Sequence, residues 1–575
     1  MLRTHTCGEI REGDIGKTAR LSGWVDTIRD HGGVMFLDLR DEYGVTQIVL
    51  HDDALLDGVN REAVVSVTGV IRARDAETVN AKLETGAVEL FAETLEILGP
   101  SRNMLPFDIR ESKDTREDVR LKYRYLDLRN PAIHGSIKLR AEVIRFLRAK
   151  MEGLGFTEIQ TPILTASSPE GARDYLVPSR KHKGRFYALP QAPQQFKQLL
   201  MVSGFDKYFQ IAPCFRDEDA RGDRSPGEFY QLDFEMAFAE QEDVFAVAEE
   251  VLHDTFAKFA TGAVSDAPFR RITYADAMLR YGSDKPDLRN PLEIADLTEF
   301  FAGVEFPMFR GKPVRGIVAD CKGRPKSFFE NSEKYAKSIG MGGLGYLTLA
   351  GEEFRGPVAK FLSEEQRAYL VNTLSIKDGE TLFFICDALP AVNAYAGQIR
   401  AWLGEALEIV EKDAFRFCFV VDFPMYEYDE QTRAIIFTHN PFSMPQGGLE
   451  ALNTKDPLEI LAYQYDIVCN GVELSSGAVR NHSPETMRRA FAIAGYEEAE
   501  LESRFGALYA AFGYGAPPHA GMAPGIDRMI MLLAGEETIR DVIAFPLNGE
   551  AKDLLLGAPG EVTEQQLRDV HIKLR

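Results

Sequence analysis

A stretch near the middle of the chain alternates apolar and other residues over eight positions. The apolar positions are Leu232, Phe234, Met236 and Phe238, and the positions between them hold Gln231, Asp233, Glu235 and Ala237. A period of two is typical of a half-buried β-strand, so residues 207–238 are predicted to form two antiparallel strands. The polar face of the second strand, starting from Phe229, carries an amide and two carboxylates. Because such a face is costly to hold together alone, it is predicted to bind a ligand.

The predicted loop between these strands alternates in charge. Its charged residues are Arg216, Asp217, Glu218, Asp219, Arg221, Asp223 and Arg224. Guanidinium groups can bind an anion, and carboxylates can bind an amine or a metal ion. The alternative is a salt-bridged hairpin tip at the surface, which is the more common role of a charge run. The other motifs of the chain favour ligand binding.

Five strand-like runs precede residue 105. They cover residues 19–25, 34–40, 46–51, 64–74 and 87–98, with turn residues between them. Five short strands in about a hundred residues predict an oligonucleotide-binding (OB) barrel. Alternation places Phe36, Asp38 and Arg40 on one face, with Arg29 and Gln47 on flanking segments, a set suited to stacking and reading single-stranded bases. A core position for Phe36 is the alternative.

The rest of the chain predicts a mixed α+β architecture. A helix is predicted over 136–154, capped by Ser136 and ended by Gly155, followed by a strand over 156–162 closed by Pro162. Strands are predicted over 417–422 and 434–438, and helices over 458–470 and in the apolar part of 521–533. We expect five segments: a barrel over 1–106, a hinge over 107–135, a core domain over 136–284 and 413–575, and an inserted α/β domain over 285–412.

Composition narrows the class of protein. The chain has 575 residues, of which 45% are hydrophobic and 27% charged, values typical of a globular cytoplasmic enzyme of several domains. No run approaches the length of a membrane span, and the start of the chain has no apolar signal core. The six cysteines form no CxxC pair, so neither zinc nor a disulfide framework is expected.

The formal net charge of −22 argues against a nucleic-acid partner at first sight. Residues 110–150, however, hold twelve lysines and arginines against six acidic residues. This basic island is either a solvated helix face or a contact for an RNA backbone, and the sequence leaves both open.

Three motifs in order resemble those of class II aminoacyl-tRNA synthetases. Residues 136–162 resemble motif 1, residues 215–238 resemble motif 2, and the GIDR sequence at 525–528 resembles motif 3. The stretches SSPEGARDYLVPS (167–179), ALPQAPQQFKQLL (188–200), YGSDKPDLR (281–289) and YGAPPHAG (514–521) are similar to bacterial-type aspartyl-tRNA synthetases. The resemblance covers the whole chain.

The resemblance implies an antiparallel catalytic sheet flanked by helices, a homodimer formed through motif 1, and a barrel that reads the tRNA anticodon. It also implies a reaction in two steps. The α-carboxylate of L-aspartate attacks the α-phosphate of ATP and releases pyrophosphate, and the aspartyl group then passes to the terminal adenosine of tRNA-Asp.

Roles toward ATP follow from the same resemblance. Arg216 and Arg528 match arginines that stabilise charge on the phosphates, which is the main requirement of phosphoryl transfer. Asp466 and Glu473 match carboxylates that hold Mg²⁺. The full set implied to bind ATP is Arg216, Asp217, Glu218, Phe229, Glu473, Gly525, Ile526, Asp527 and Arg528.

A dicarboxylate with one ammonium needs two cationic sites and one anionic site. Lys197 and Arg480 match residues that grip the side-chain carboxylate, Asp233 braces Lys197, and Glu170 takes the ammonium from a mobile loop. The set implied to bind aspartate is Glu170, Gln194, Gln195, Phe196, Lys197, Arg216, Asp233, His439 and Arg480. A purely structural role is the alternative for His439.

The sequence departs from the family pattern in the catalytic part. Asn440 follows His439 where many relatives have a second histidine, Ser225 stands where glutamine is frequent, and Gly227 is one extra residue in the motif 2 loop. These departures put in doubt a pH role for a histidine pair and some contacts of the loop with ATP or the acceptor end.

The anticodon set implied by the resemblance is Arg29, His31, Phe36, Gln47 and Glu89. Histidine at position 31, where many relatives carry leucine, resembles enzymes that also aspartylate tRNA-Asn. Relaxed specificity would require an amidotransferase partner that converts Asp-tRNA-Asn.

Three other functions remain as alternatives. Asparaginyl- and lysyl-tRNA synthetases are the nearest in class; the basic pair Lys197 and Arg480 opposes lysine, and the insertion with YGSDKPDLR opposes asparagine. A synthetase-like RNA-binding or regulatory protein without activation activity is the third.

Overall fold

The N-terminal unit is a closed barrel of five strands, along which burial alternates. The computed structural model describes residues 2–167, 172–224, 227–304, 309–351 and 353–574, and the chain divides into two units at Thr115 and Arg116. The strands of the first unit are β1 (Thr18–Asp30), β2 (Met35–Arg40), β3 (Val45–Leu50), β4 (Val64–Ala73) and β5 (Val88–Gly99). They pair in the order β1-β2-β3-β5-β4. All five predicted strands and the OB barrel are confirmed.

Strand β2 illustrates why this sequence forms a barrel. Leu37 and Leu39 are fully buried in the barrel core, whereas Phe36, Asp38 and Arg40 are only partly buried on the outside. The period of two therefore sorts the strand into an apolar inner row and an outer row of aromatic and charged residues. Phe36 is not a core residue of the barrel.

The second unit contains nineteen further strands and fifteen helices within its described residues. The strands are β6 (Thr157–Glu158), β7 (Leu176–Pro178), β8 (Phe186–Ala188), β9 (Lys207–Arg216), β10 (Gly227–Ala237), β11 (Ala263–Val264), β12 (Arg270–Thr273), β13 (Ile294–Asp296), β14 (Val314–Asp320), β15 (Gly345–Ala350), β16 (Glu353–Arg355), β17 (Glu380–Cys386), β18 (Ala414–Phe415), β19 (Phe417–Val421), β20 (Tyr426–Asp429), β21 (Ala434–Phe437), β22 (Gln464–Cys469), β23 (Val472–Val479) and β24 (His519–Met522). The helices are α1 (Glu117–Lys122), α2 (Arg124–Asp127), α3 (Pro131–Gly153), α4 (Gln194–Val202), α5 (Gln241–Phe259), α6 (Tyr274–Arg280), α7 (Thr298–Ala302), α8 (Lys326–Ser338), α9 (Glu364–Leu374), α10 (Ala391–Ala406), α11 (Gly448–Thr454), α12 (Pro484–Ile493), α13 (Glu498–Phe512), α14 (Ile526–Ala534) and α15 (Glu564–Asp569).

The main sheet of this unit has eight strands in the order β12-β19-β22-β23-β24-β10-β9-β6. The six central strands pair antiparallel, and the two edge pairs, β12 with β19 and β6 with β9, are parallel. Helices α3, α5 and α14 contribute to one apolar core with strands β9, β10, β19, β22, β23 and β24 of this sheet. The predicted antiparallel catalytic sheet is thus confirmed, with parallel pairs added at both edges.

Residues 294–386 contain a separate sheet in the order β13-β14-β17-β15-β16, with every neighbouring pair antiparallel. In β17, Phe383 and Ile385 enter one core cluster, whereas Leu382 and Phe384 enter another on the opposite face. A sheet covered on both faces explains the continuous apolar run of this strand.

Four local predictions fail. Helix α3 begins at Pro131 with Asn130 as its cap, and the Ser136 hydroxyl donates to the Ala132 carbonyl inside the helix. Only Thr157–Glu158 of the predicted 156–162 strand pairs with a neighbour. The predicted 458–470 helix is a short 3-10 turn followed by β22, whose six residues are all buried; periodicity cannot separate a central strand from a buried helix. Phe238 lies beyond β10 and is exposed.

The basic island over 110–150 is largely neutralised inside the molecule. Arg120 pairs with Asp127 and Asp541, Arg140 pairs with Asp527, and Lys150 pairs with two carboxylates of helix α5. Several of its cations therefore stabilise the fold. None of the helices in the described part of the chain combines the length and apolar composition of a membrane span.

Candidate active site

A cavity of about 450 Å³ lies over the polar face of β10. Predicted site residues that line it are Gln194, Lys197, Arg216, Glu218, Phe229, Asp233, His439, Glu473, Arg480, Gly525, Asp527 and Arg528. They come from β9, β10, β23, α4, α14 and the loops between, so the fold gathers residues more than three hundred positions apart. The volume suits a small-molecule substrate with a cofactor.

One end of the cavity is built from four buried charges, which we call the charge quartet: Lys197, Asp233, Glu235 and Arg480. The Lys197 Nζ lies 2.5 Å from Asp233 Oδ1 and 3.5 Å from Glu235 Oε2. Arg480 donates from Nε and Nη2 to the two oxygens of Glu235, at 2.8 and 3.2 Å. Two cations and two carboxylates balance, which is the condition for burying them.

Two atoms of the quartet keep unused hydrogen-bonding capacity. The Arg480 Nη1 and the Asp233 Oδ2 are buried and have no hydrogen-bond partner among the described residues. Both residues line the cavity. Because an unsatisfied buried polar group is costly, these atoms point to a ligand that supplies an acceptor for Arg480 and a donor for Asp233.

Glu235 is a site residue that the family resemblance did not supply. It is fully buried, and the positive charges of Arg480 and Lys197 outweigh the effect of burial and hold its pKa below the ordinary value. Its bidentate contact fixes the plane of the Arg480 guanidinium. The signal in the sequence was the alternation itself, because Glu235 shares the polar face of β10 with Asp233.

Helix α4 explains which of its residues reach the cavity. Gln194, Lys197 and Gln198 are buried on one face at helical spacing. Gln195 and Phe196 are not on that buried face and do not line the cavity, so their place in the aspartate site stays a prediction. Glu170 lies outside the described residues.

At the other end of the cavity the two predicted catalytic arginines are held by exchangeable contacts. The Arg216 guanidinium lies 5.0 Å from the centre of the Phe229 ring, and its Nε donates to the Gln191 carbonyl at 3.4 Å. Within the described ranges, Arg216 forms no ion pair. Arg528 donates to the main-chain carbonyls of Asp223 and Glu473, and its Nη2 and Nη1 also lie 3.5 and 3.7 Å from the side-chain carboxylates of the same two residues. Anionic phosphates are stronger partners for guanidinium groups than carbonyls are.

The charged loop after β9 contributes only alternate residues. Glu218 lines the cavity and pairs with Arg224 at 2.8 Å, whereas Asp217 faces away and its main chain binds Arg173. Arg224 also lines the cavity, so the alternating charges are more than a surface hairpin tip. Asp217 does not line this cavity, and its role in binding ATP stays a prediction.

Three of the four motif 3 residues line the cavity, and the fourth lies in the core. Gly525 and Arg528 line the cavity, whereas Ile526 is fully buried in the core and does not. Asp527 lines the cavity as well, but its Oδ2 accepts a hydrogen bond from Tyr230 N at 2.9 Å and its Oδ1 pairs with Arg140. Asp527 therefore braces β10 against α3 and α14.

The predicted metal carboxylates lie on the neighbouring strands β22 and β23. Asp466 is buried, its Oδ1 has no hydrogen-bond partner in the described part of the chain, and burial together with Glu473 raises its pKa well above the ordinary value. Glu473 lines the cavity, and Lys285 Nζ lies 3.3 Å from it. No group of three or more metal-ligating side chains occurs in the described ranges. Two carboxylates with an unused oxygen fit Mg²⁺ completed by phosphates.

The departures from the family pattern have local structural reasons. Asn440 accepts a hydrogen bond from Phe442 N at 2.9 Å, so its side chain shapes the loop. Gly227 has a φ of +88°, which favours glycine. Burial lowers the pKa of His439, which favours its neutral form. Ser225 lies outside the described residues.

The outer face of the barrel carries the predicted anticodon residues in one network. Arg29 donates to Asp38 at 2.7 Å and to Gln47 at 3.3 Å, and Gln47 donates to Glu89 at 2.7 Å. The His31 ring meets the edge of Phe36, with ring centres 5.6 Å apart. A half-buried ring beside orientated polar groups can stack a base and read its edge.

Family models cover both units. Residues 116–549 match the tRNA synthetases class II (D, K and N), and residues 19–98 match the OB-fold nucleic acid binding domain. The chain belongs to the class II tRNA synthetases. The recognised motifs 2 and 3 thus coincide with the walls of the cavity.

Relatives of the synthetase match along its whole length. It is 56% identical to the aspartate–tRNA(Asp/Asn) ligase of Paramagnetospirillum magneticum, covering all of this chain and 66% of that protein. It is 54% identical to the aspartate–tRNA(Asp/Asn) ligase of Zymomonas mobilis and to the aspartate–tRNA ligase of Streptomyces coelicolor, covering all of this chain and 98% of each relative.

Solved structures share the fold at low sequence identity. The asparaginyl-tRNA synthetase of Pyrococcus horikoshii complexed with asparaginyl-adenylate is 18% identical, with a TM-score of 0.60 over 95% of this chain and 98% of that one. The aspartyl-tRNA synthetase of Entamoeba histolytica has a TM-score of 0.55 at 18% identity, over 94% and 90% of the two chains.

Proposed function

We propose that this synthetase is an aspartate–tRNA ligase, which activates L-aspartate with ATP and transfers it to tRNA-Asp. The charge quartet is the observation that carries the proposal. Arg480 Nη1 is a buried donor with no hydrogen-bond partner among the described residues, and both Arg480 and Lys197 line the cavity. The two oxygens of a side-chain carboxylate can accept from both cations, whereas the amide of asparagine has one acceptor oxygen and would turn its NH₂ group toward the other cation.

The first step needs positioning and charge stabilisation. The α-carboxylate of aspartate attacks the α-phosphate, and pyrophosphate leaves. Arg216 spans the carboxylate and the α-phosphate, and Arg528 holds the γ-phosphate. Arg216 exchanges a carbonyl contact for charge-assisted ones as negative charge develops, and Arg528 exchanges carbonyls and two long carboxylate contacts for phosphate oxygens. Glu218 and Phe229 hold the adenine. The Phe229 ring stacks on the base once Arg216 has moved away from that ring.

Asp466 and Glu473 would hold Mg²⁺, which neutralises phosphate charge when bound. The unused Asp466 Oδ1 and the cavity-facing Glu473 support this assignment. In the second step a hydroxyl of the terminal adenosine of tRNA attacks the aspartyl carbonyl of the adenylate, and AMP leaves. The barrel selects the tRNA through Arg29, His31, Phe36, Gln47 and Glu89.

Partners follow from the same proposal. The helix α3 carries an exposed face that includes Ala141, Arg145 and Arg148, and we assign it to a homodimer. His31 beside Phe36 supports charging of tRNA-Asn as well, in line with the names of two of the relatives. A cytoplasmic tRNA-dependent amidotransferase would then convert the Asp-tRNA-Asn.

Charging of separate tRNA-Asp and tRNA-Asn transcripts with labelled aspartate tests the proposal. Label on both is the expected result. Label on tRNA-Asp alone would remove the argument from His31 and keep the ligase, and label on neither would favour an RNA-binding protein without activation activity. Replacing His31 with Leu should reduce charging of tRNA-Asn about tenfold relative to tRNA-Asp, the cost of roughly one base contact.

A further inference from the structure

A buried chain of three side chains leads from strand β24 to the cavity. His519 Nδ1 lies 2.8 Å from the Pro517 carbonyl, His519 Nε2 lies 3.0 Å from Gln198 Nε2, and Gln198 Oε1 lies 3.0 Å from Gln194 Nε2. His519 and Gln198 are fully buried, and Gln194 lines the cavity. We call this set the amide chain.

The direction of every hydrogen bond in the amide chain is set at its buried end. The Pro517 carbonyl can only accept, so His519 carries its proton on Nδ1 and offers a lone pair at Nε2. Gln198 must then donate from Nε2 and accept at Oε1. Gln194 donates one of its two amide N–H bonds to Gln198, so its Oε1 remains as the acceptor that this side chain can offer to the cavity.

Burial keeps this polarity in place. Lowering of the His519 pKa by burial is consistent with the neutral ring that the contacts require. Reversing either glutamine would place two donors or two acceptors against each other at the fully buried Gln198 side chain. His519 and Gln198 therefore fix the orientation of the Gln194 amide although neither of them lines the cavity.

We propose that His519 and Gln198 are positioning residues that hold the Gln194 carbonyl oxygen toward the ammonium group of the bound amino acid. The inference rests on the proposed function. The side-chain carboxylate of the amino acid has cationic partners in Lys197 and Arg480. The ammonium group needs hydrogen-bond acceptors instead, and a carbonyl oxygen held in place supplies one. Lys197 and Gln198 are neighbours on the same face of α4, which aligns the amide chain with the charge quartet.

Aspartate-dependent exchange of pyrophosphate into ATP tests the proposal with the full chain. The Gln198→Met variant should raise KM for aspartate about tenfold, while kcat and KM for ATP change less than twofold. A Gln194→Met variant should give a similar increase, and the double variant should be no worse than Gln194→Met alone, since both act through one contact. Gln446→Met, which removes a glutamine bonded to Asp422 outside the cavity, should leave KM for aspartate unchanged.

Two histidine variants separate positioning from simple packing. His519→Gln can still accept from Gln198, so its KM for aspartate should stay within about threefold of the wild-type value, whereas His519→Asn loses the acceptor and should resemble Gln198→Met. Additive effects of Gln194→Met and Gln198→Met, equal behaviour of the two His519 variants, or parallel changes in the KM for ATP would overturn the inference. Absence of exchange by the wild-type protein would instead overturn the proposed function and the inference with it.

Discussion

The two ends of the catalytic cavity are built in opposite ways. At the end with the charge quartet, every charged group is buried and already paired, and single atoms of Arg480 and Asp233 remain for a ligand. At the end with Arg216 and Arg528, the arginines are partly exposed: Arg216 contacts a carbonyl and an aromatic ring, and Arg528 contacts two carbonyls and, at 3.5 and 3.7 Å, the carboxylates of Asp223 and Glu473. The first end is fixed before substrate arrives, and the second is held by contacts that substrate can replace.

This difference separates selection from chemistry. A fixed array of buried charges discriminates among ligands because a wrong ligand leaves a buried donor unsatisfied. Exchangeable arginines can follow negative charge as it develops on the phosphates. Variants at the two ends should therefore fail in different ways.

Replacing Arg480 with Leu should have the largest effect. The change removes the donor for the substrate carboxylate and leaves Glu235 buried without its bidentate partner, a cost of about 3–5 kcal/mol. We expect the kcat/KM for aspartate-dependent exchange to fall by roughly 10³-fold or more. Arg488→Ala, which removes an exposed arginine paired with Glu498, is the matched control. Exchange that survives Arg480→Leu would show that the pocket is assigned wrongly.

Replacing Arg528 with Ala should reduce kcat about 10²- to 10³-fold, because one source of charge stabilisation at the phosphates is lost. The KM for aspartate should change little, since Arg528 does not contact the charge quartet. Steady-state exchange kinetics at varied aspartate and varied ATP measure both effects. A rise in the KM for aspartate as large as the fall in kcat would erase the distinction between the two ends.

Replacing Phe36 with Ala tests whether the barrel acts separately from both ends. Loss of one stacking contact of about 1–3 kcal/mol should reduce tRNA charging by roughly 5- to 150-fold, mainly through the KM for tRNA. Exchange needs no tRNA and should stay within twofold of wild type. A matched loss of exchange would place the defect in folding and would count against base stacking by Phe36.

Replacing Asp466 with Asn should have the smallest effect of the four substitutions. It should make the folded protein slightly more stable and the enzyme less active. Burial and Glu473 raise the pKa of Asp466, so ionising it in the folded protein costs free energy, and the cost grows as pH rises toward that pKa. In magnesium-free buffer the variant should gain about 1–2 kcal/mol at pH 8 and less at pH 5. Thermal unfolding at both pH values measures this.

The activity of the same variant provides the second half of that test. Exchange should need roughly 10- to 100-fold more Mg²⁺, because one ligand has lost its charge. A variant that is destabilised equally at both pH values, with an unchanged magnesium requirement, would contradict the assigned role.

The sequence predicts the barrel and the ligand face well because both depend on alternation. Phe36 and Asp38 lie outside the barrel and Leu37 lies inside, as a period of two requires. The same rule fails for β22, where residues on both faces are buried and the run reads equally well as a helix. Burial on both faces is a property of the assembled sheet, and no local pattern encodes it.

The sequence motifs predict which segments of the chain form the candidate site, but they do not predict every lining residue or the contacts among them. Arg216, Arg480 and Arg528 meet in one cavity as the family resemblance implies. Asp217, Ile526 and Phe196 are next to lining residues in sequence but do not line the cavity themselves, and their roles stay predictions. The amide chain joins Gln198 to His519 across 321 positions, a contact that only the tertiary fold creates.

The amino-acid dependence of pyrophosphate exchange tests the central claim most directly. The wild-type protein should support exchange with aspartate at a kcat/KM at least about 10³-fold above that with asparagine, as expected where a buried donor would be left unsatisfied by the wrong ligand. Equal exchange with asparagine, or exchange with neither amino acid, would contradict the account of the charge quartet as an aspartate pocket.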